Sequence, residues 1–340
     1  MSSTTTTTTA TATTRDAIQT SPFPTIDISP FLRYDASKAD LNRTAQSLST
    51  ACTSPGFFYL TNHNLSAALS NRVLSLARDF FLHTPVTEKE KLKRRDVGIG
   101  NGDGARGYQV IGDNVTQGKR DWHEALDYYR PVRDAEPTED EVGKQPPYDL
   151  LQGINQWPST PSGFREVYEE FISKMLELGT AVMRAMGMAL GEGMEDVFVS
   201  NTRKSWWVMR AIGYPPLPDD APEGGVSCGV HSDYGCVTLL LADETKGALQ
   251  AWVEEEGGGR WVDVNPAEGA LVVNIGDMMA RWSEGKWKAT KHRVVHRGSG
   301  YRVSVPFFFE PDWDARVPGR EGEGEVVYGE YLSDKVRGNF

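Results

Sequence analysis

Seven short hydrophobic runs follow one another in the second half of the chain, and they constrain its fold more than any other feature. Each run is rich in Val, Leu, Phe or Trp, and Gly, Pro, Asn or Asp separate it from the next. The runs cover residues 206–214, 237–241, 248–253, 261–264, 270–275, 292–296 and 302–309. Short strands at this spacing are typical of an antiparallel β-sandwich or barrel.

The first half of the chain mixes strands with helices. Short apolar runs at 24–30 and 56–61 and the segment 121–129 predict strands. Residues 39–54, 65–81 and 84–93 have helical spacing, and 164–190 gives the longest helical pattern, with a broad apolar stripe. We interpret this last helix as a support that packs behind the sheet.

The net charge and the cysteine content of the chain indicate which classes of partner and which compartment to expect. The chain has 340 residues, a net charge of −11 and a sequence pI of about 5.1. An acidic chain has no general attraction for nucleic acid or for an anionic membrane, so we expect neither as a partner. Three cysteines without a CxxC pattern fit a reducing compartment, and we expect a cytoplasmic protein.

The N-terminal residues 1–20 form a tract rich in Ser and Thr. Low hydrophobicity predicts a disordered tail. Residues 2–14, which are all Ser, Thr or Ala, are without acids and are followed by Arg15, so a transit peptide is the alternative interpretation.

The clearest chemical motif is His231-Ser232-Asp233, which precedes a buried run. On a strand, positions i and i+2 face the same side, so both side chains could bind one metal ion. Two imidazoles and a carboxylate are the ligand set of open iron(II) sites. His292 and His296 are both candidates for the third ligand, because residues four apart on a strand share a face.

Arg302 and Ser304 also share a strand face. A buried arginine with a hydroxyl beside it can bind a carboxylate through charge-assisted hydrogen bonds. Arg210 and Arg281 are rival partners for such a carboxylate.

With these residues in place, the sequence resembles the isopenicillin N synthase-like branch of the 2-oxoglutarate and iron(II)-dependent dioxygenases. The resemblance runs from about Phe23 to Pro311. The matching segments are FPTIDISPF, ACTSPGFFYLTNHNL, DWHEALDYY, GYPPLP, HSDYGCVTLLL, GALQAW, NIGDMM, KHRVV and RVSVPFFFEP. They occur in the family's order and at its spacing, which is far more specific than any single motif.

The resemblance implies a mainly β fold with flanking helices around a double-stranded β-helix, or jelly roll. It implies a chain divided into the tail 1–20, a mixed α/β region 21–200 with the long helix, a jelly-roll core 201–312 and a closing segment 313–340. It identifies His292 as the third iron ligand beside His231 and Asp233.

The family's cofactors are iron(II), 2-oxoglutarate as cosubstrate and dioxygen. By resemblance, Arg302 and Ser304 bind the distal carboxylate of 2-oxoglutarate, and Tyr214 contacts the cosubstrate. The family often has asparagine where this chain has Ile212, which weakens the expectation of polar contacts there.

The implied activity is the oxidation of a small molecule by hydroxylation, desaturation or cyclisation, as in secondary metabolism. We expect Tyr108, Trp206, Val208 and Phe309 to line the substrate pocket, and an aromatic lining would suit an apolar or aromatic molecule. The alternatives are an isopenicillin N synthase-like oxidase that uses no 2-oxoglutarate, an inactive ligand-binding relative, and a jelly roll with a structural zinc ion.

Overall fold

The computed structural model describes residues 21–99, 102–132, 149–219, 225–319 and 324–338. The predicted tail 1–20 lies outside the described residues. Within the described part, none of the helices combines the length and the apolar character needed to cross a membrane.

Sixteen strands occur in the described residues. In chain order they are β1 (Thr25–Asp27), β2 (Phe57–Thr61), β3 (Gly107–Gln109), β4 (Val115–Thr116), β5 (Lys119–Arg120), β6 (Glu124–Tyr129), β7 (Val208–Tyr214), β8 (Cys228–His231), β9 (Val237–Ala242), β10 (Leu249–Glu255), β11 (Gly258–Asp263), β12 (Leu271–Ile275), β13 (His292–Val294), β14 (Arg302–Phe309), β15 (Arg316–Val317) and β16 (Val326–Val327).

Two sheets form the core of the molecule. The main sheet has eight strands in the order β1-β2-β12-β9-β14-β7-β6-β3, and the small sheet has four in the order β11-β10-β13-β8. All neighbours are antiparallel except β1 and β2, which run parallel. An antiparallel sheet pair with helices outside it confirms the predicted jelly-roll architecture.

Eight helices occur in the described residues. They are α1 (Ser29–Leu32), α2 (Lys38–Thr53), α3 (Ala67–His83), α4 (Val86–Lys91), α5 (Phe164–Leu190), α6 (Met194–Ser200), α7 (Asp277–Trp282) and α8 (Tyr328–Gly338). Serine side chains at Ser37 and Ser66 cap the N-termini of α2 and α3 by accepting a backbone N–H three residues on. The predicted long helix has the predicted bounds.

The two faces of the main sheet have different coverings. Helices α2, α3 and α5 and one face of the main sheet share the larger apolar cluster, which includes Phe80, Phe171 and Phe307. A smaller cluster fills the space between the two sheets and includes Tyr59, Ile212 and Val262. The main sheet is therefore buried on both faces, and the space between the sheets is where a site can open.

Strands from both sides of residue 200, the predicted division, belong to one sheet. β2 pairs with β12, and β6 pairs with β7, so strands from before residue 200 flank the four central strands from after it at both ends of the main sheet. The closing segment packs back onto the core: Tyr328 and Leu332 are buried on α8, and the Tyr331 hydroxyl donates to Asp277 at 3.1 Å.

Candidate metal centre

His231, Asp233 and His292 meet between the two sheets, and their donor atoms lie within 4.8 Å of one another. His231 ends β8 and is paired directly with His292 at the start of β13. Asp233 Oδ1 lies 3.7 Å from His231 Nε2 and 3.5 Å from His292 Nε2. Asp233 itself lies in the turn after β8, so the prediction that both residues of the motif share one strand is wrong.

Backbone carbonyls orient both imidazoles. The Nδ1 atom of His231 is 2.8 Å from the carbonyl of Gly229, and that of His292 is 3.1 Å from the carbonyl of Thr290. A carbonyl only accepts, so Nδ1 carries a proton and Nε2 is the nitrogen that faces Asp233. Metal-binding histidines usually have such a partner on their second nitrogen.

Asp233 is held through the oxygen that does not face the histidines. Its Oδ2 accepts hydrogen bonds from the Thr238 hydroxyl and from the Asn274 amide, the latter at 2.7 Å. Burial alone would raise the pKa of Asp233, but His292 and His231 together with Thr238 hold that pKa below its usual range. The carboxylate is therefore ionised with Oδ1 directed to the histidines.

This donor set fits iron(II). Two imidazole nitrogens and one carboxylate oxygen on one side of an ion form a facial triad, which leaves the other coordination positions open. Neither of the buried cysteines contributes a thiolate, and Cys228 Sγ approaches the outer Nδ1 of His231 at 3.9 Å.

Arg302 lies on β14 next to this centre and is 2% exposed. Its Nη1 is 3.5 Å from Ser304 Oγ, and its Nε has no hydrogen-bond partner among the described residues. The guanidinium lies over the ring of Tyr214, 4.7 Å from the centroid. The structure brings Arg302, Ser304 and Tyr214 together, because Arg302 and Ser304 face Tyr214 and Ile212 across the β7–β14 pair.

The rival candidates have other partners. His296 follows the end of β13, and its Nε2 is 2.9 Å from the carbonyl of Gly300, so it does not share the orientation of His292. Arg210 pairs with Asp127 through Nε at 2.7 Å. Arg281 lies on α7 and donates to the carbonyl of Gly324.

Three of the four predicted pocket residues do not face the space between the sheets. Tyr108 packs against Phe80 of α3, and the ring of Phe309 lies against Gly179 of α5. Trp206 packs on Trp313 with ring centroids 4.4 Å apart. Side chains alternate along a strand, and Tyr108 and Phe309 have the phase that faces the helices. Trp206 precedes β7 and belongs to the apolar cluster shared with the helices.

The side chain of Val208 points to the face of the sheet that looks toward the second sheet. Val208 therefore shares this inner face of β7 with Arg210. The inner face also carries Asp127 and Gln109 from β6 and β3, which are 4% and 1% exposed. This part of the inner face therefore carries polar side chains beside Val208.

A second group of donors lies beside His231. Asp121, His123 and Cys228 have donor atoms within 4.8 Å of one another. Asp121 already accepts the N–H of Gly229 at 2.8 Å, which fixes the strand that carries His231. Burial lowers the pKa of His123 to about 3, with the nearby positive charge of Arg210 acting in the same direction, so this imidazole is neutral.

Sequence reasoning did not identify Thr238 and Asn274 as supports of Asp233. Asn274 lies in the segment NIGDMM, which carried part of the resemblance, but its position gave no separate indication of a contact. Thr238 follows Asp233 by five residues across a turn, and only the pairing of β9 with β12 brings it beside Asn274.

Two family models match the chain. The model of the N-terminal region of non-haem dioxygenases, described for morphine synthesis, covers residues 23–160, and that of the 2OG-Fe(II) oxygenase superfamily covers residues 195–311. Among curated proteins, a homoarginine-6-hydroxylase of Arabidopsis thaliana is 37% identical over 93% of this chain and 97% of its own length. One of Oryza sativa subsp. japonica is 38% identical, with the same coverage of 93% and 97%.

Solved structures that are similar to this chain include a protein crystallised with alpha-KG. The structure of Neurospora crassa T7H in complex with alpha-KG and thymine superposes with a TM-score of 0.76 and 25% identity, over 94% of this chain and 97% of that one.

Proposed function

Because the chain belongs to the 2OG-Fe(II) oxygenase superfamily, we propose that His231, Asp233 and His292 bind its iron(II) and that Arg302 binds its cosubstrate. The protein is a non-haem dioxygenase that depends on iron(II) and 2-oxoglutarate. In this proposal, Ser304 and Tyr214 complete the site for the distal carboxylate of 2-oxoglutarate.

The burial of Arg302 without an acidic partner carries this assignment. Among the described residues, no carboxylate forms an ion pair with its guanidinium, and its Nε is unpartnered. An uncompensated buried charge costs several kcal/mol by order of magnitude. A carboxylate ligand that accepts two hydrogen bonds from the guanidinium would remove that cost.

The contacts of the proposed iron ligands indicate which roles the metal and the protein would have in the reaction. When bound, iron(II) supplies the oxidation chemistry, with 2-oxoglutarate and dioxygen as co-reactants. His231 and His292 are held in one tautomer by Gly229 and Thr290, and Asp233 is held by two donors. Phe57 packs edge-on against His292, with ring centroids 5.5 Å apart, and excludes water from that side. The proposal requires no protein nucleophile.

The comparisons favour a 2-oxoglutarate-dependent enzyme over the alternative of an oxidase that uses no 2-oxoglutarate. The curated relatives include a homoarginine-6-hydroxylase and a 2-oxoglutarate-Fe(II) type oxidoreductase, and similar solved structures include two that contain alpha-KG or 2-oxoglutarate. Arg302 is accordingly assigned to the cosubstrate and not to a carboxylate of the substrate.

We further propose that the reaction is the hydroxylation of an amino acid with a long basic side chain. The support is the name shared by the homoarginine-6-hydroxylases, which match over 93% or more of the chain.

We also propose that the protein is cytoplasmic. The three cysteines are free, which supports the cytoplasm as the compartment.

The test is a mass-balanced turnover assay of the iron(II) enzyme with L-homoarginine. One 2-oxoglutarate and one dioxygen should be consumed for each succinate, carbon dioxide and hydroxylated amino acid formed. Product should fail to appear when either co-reactant is omitted. Turnover without 2-oxoglutarate would contradict the proposed cosubstrate role, and inert homoarginine, arginine and lysine would contradict the substrate class.

A further inference from the structure

A polar cluster is centred on the inner faces of β3, β6 and β7. We call it the Arg210 cluster, and it consists of buried Gln109 and Asp127 and half-buried Arg94, Asn114 and Arg210. Arg94 and Asn114 join it from the connections before β3 and β4. Polar groups are costly to bury without partners. None of these five residues belongs to the proposed iron or 2-oxoglutarate sites.

The acid of the cluster is fully used. Asp127 Oδ1 accepts from Arg210 Nε at 2.7 Å, and Asp127 Oδ2 accepts from the Gln109 amide. The oxygen of Gln109 in turn accepts from Arg94 Nη1 at 3.1 Å. Both oxygens of Asp127 therefore already have a donor within the cluster, and its charge is paired with Arg210.

The donors of the cluster are not fully used. Arg210 Nη2 donates to Asn114 Oδ1 at 3.3 Å, while Arg210 Nη1 makes no hydrogen bond within the described part of the chain. The Asn114 Nδ2 atom is buried and has no partner among the described residues. Two adjacent groups thus offer N–H donors, one of them from a cation, and the buried Asn114 Nδ2 lacks an acceptor.

The cluster lies on the route to the metal centre. Arg210 and Tyr214 share the inner face of β7, and the Tyr214 ring is 5.4 Å from that of His123. The carbonyl of Asn114, whose side chain accepts from Arg210, itself accepts the N–H of Asp121 at 2.9 Å, and Asp121 accepts the N–H of Gly229, two residues before His231, at 2.8 Å. Arg210 and His231 therefore border the same space between the sheets.

We propose that Arg210 and Asn114 bind the carboxylate of the amino-acid substrate. A guanidinium and an amide side by side match the planar, bidentate geometry of a carboxylate. A dianion such as a phosphate fits less well, because Asp127 already lies in the same network. This inference rests on the proposed function, since it names the group by which that substrate is recognised.

Two carboxylate sites can be filled at once. Arg302 is paired across the sheet with Tyr214, which lies four residues along β7 from Arg210. At about 3.3 Å per residue, the two arginines are separated by roughly 13 Å along the strand direction. Arg302 would bind 2-oxoglutarate while Arg210 binds the substrate.

The test is calorimetric titration, under anaerobic conditions, of the iron(II) enzyme loaded with 2-oxoglutarate. The ligands are L-homoarginine, L-arginine and L-lysine, each compared with the amine that lacks its carboxylate: homoagmatine, agmatine and cadaverine. At least one amino acid should bind about 10–100-fold more tightly than its amine, the range expected for hydrogen bonds to a charged group.

Arg210→Gln should abolish this preference. The matched control is Arg260→Gln, at an exposed arginine of β11, which should keep it. Because Arg210→Gln also removes the partner of Asp127, Asn114→Ala serves as a second variant that keeps the ion pair. It should reduce the preference several-fold while the protein remains folded.

The outcomes separate this inference from the proposed function. Equal binding of an amino acid and its amine, or an unchanged preference in both variants, would overturn the assignment to Arg210 alone. No binding of any amino acid while 2-oxoglutarate binds would overturn this inference together with the proposed substrate class, and would leave the cosubstrate role standing. If the iron(II) protein failed to bind 2-oxoglutarate in a parallel titration, the proposed function and this inference would both fall.

Discussion

Asp233 illustrates how a single residue is prepared for metal binding. One oxygen faces two imidazoles, and the other accepts hydrogen bonds from Thr238 and Asn274. Because the second oxygen is already saturated, the carboxylate cannot rotate without losing two hydrogen bonds. The iron ligand is thus oriented by residues that do not touch the metal.

Removing one of these supports should weaken metal binding without unfolding the protein. Thr238→Val keeps the volume of the side chain and deletes the donor to Asp233. We expect affinity for iron(II) to fall about 10–100-fold, as is usual for a lost outer partner. Competition with a chromophoric chelator measures this, with Thr180→Val on the exposed side of α5 as the control. Equal affinities in the two variants would show that Thr238 does not orient Asp233.

A buried acid near the centre makes stability depend on pH. Burial raises the pKa of Glu310 from 4.5 to about 8, and the charge of Asp233 acts in the same direction. The unfolded chain loses this proton near its ordinary pKa, whereas the folded protein keeps it until about pH 8. Folding is therefore penalised progressively as pH rises from about 5 to 8, by a few kcal/mol in total.

Glu310→Gln should remove that penalty because glutamine cannot ionise. In urea unfolding of the iron-free protein, we expect the variant to match the parent near pH 5 and to be more stable at pH 9. Glu170→Gln, at an exposed position of α5, should leave the pH dependence as it is. Parallel stability curves for the parent and Glu310→Gln would contradict the assigned pKa.

At the scale of elements, α5 supports the main sheet through a close contact with β14. A Cβ atom placed on Gly179 would lie 2.1 Å from the ring of Phe309, so only glycine allows this approach. Phe309 is therefore a packing residue on the outer face of the sheet, and β14 presents Arg302 and Ser304 on its other face.

Gly179→Ala should destabilise the protein by about 1–3 kcal/mol through this clash, although alanine is the better helix former. The double variant Gly179→Ala/Phe309→Leu should recover part of the loss, since leucine leaves room for the methyl group. Urea unfolding measures both, and the affinity for 2-oxoglutarate should remain unchanged. A fully stable Gly179→Ala variant would contradict the close contact.

The elements also show how far sequence reasoning reaches. The bounds of α5 and the ligand His231 could be predicted, because helical periodicity and a short motif are local signals. Which residues of β6 face the site could not be predicted, because every residue from Glu124 to Tyr129 is buried and both faces of the strand are covered. Polar Asp127 faces the site, and apolar Leu126 faces the helices, so alternation alone did not reveal which side was the pocket.

The whole molecule depends on strands from both ends of the chain. In the main sheet, β2 covers the edge of β12 and β6 covers the edge of β7. The segment 201–312 alone would leave one edge of each of these two strands unpaired and would expose the sheet face that α2, α3 and α5 cover. The predicted jelly-roll region is therefore a sequence unit but not an independent packing unit.

A fragment of residues 201–340 is accordingly expected not to fold. It should lack a cooperative urea transition and should be degraded rapidly by protease, whereas the full chain resists both treatments. The loss follows from the missing helices and the two uncovered strand edges. A fragment that unfolded cooperatively and bound iron(II) would contradict this view of the sheet.

The central claim is that a buried arginine without an acidic partner binds the cosubstrate beside a His-Asp-His iron site. Anaerobic titration of the iron(II) protein with 2-oxoglutarate, followed by the weak visible absorption band of the chelate, tests it most directly. We predict a saturable band in the parent and at least about 10-fold weaker binding in Arg302→Ala. Iron demonstrably bound with no band in the parent, or equal affinity in Arg302→Ala, would contradict the account.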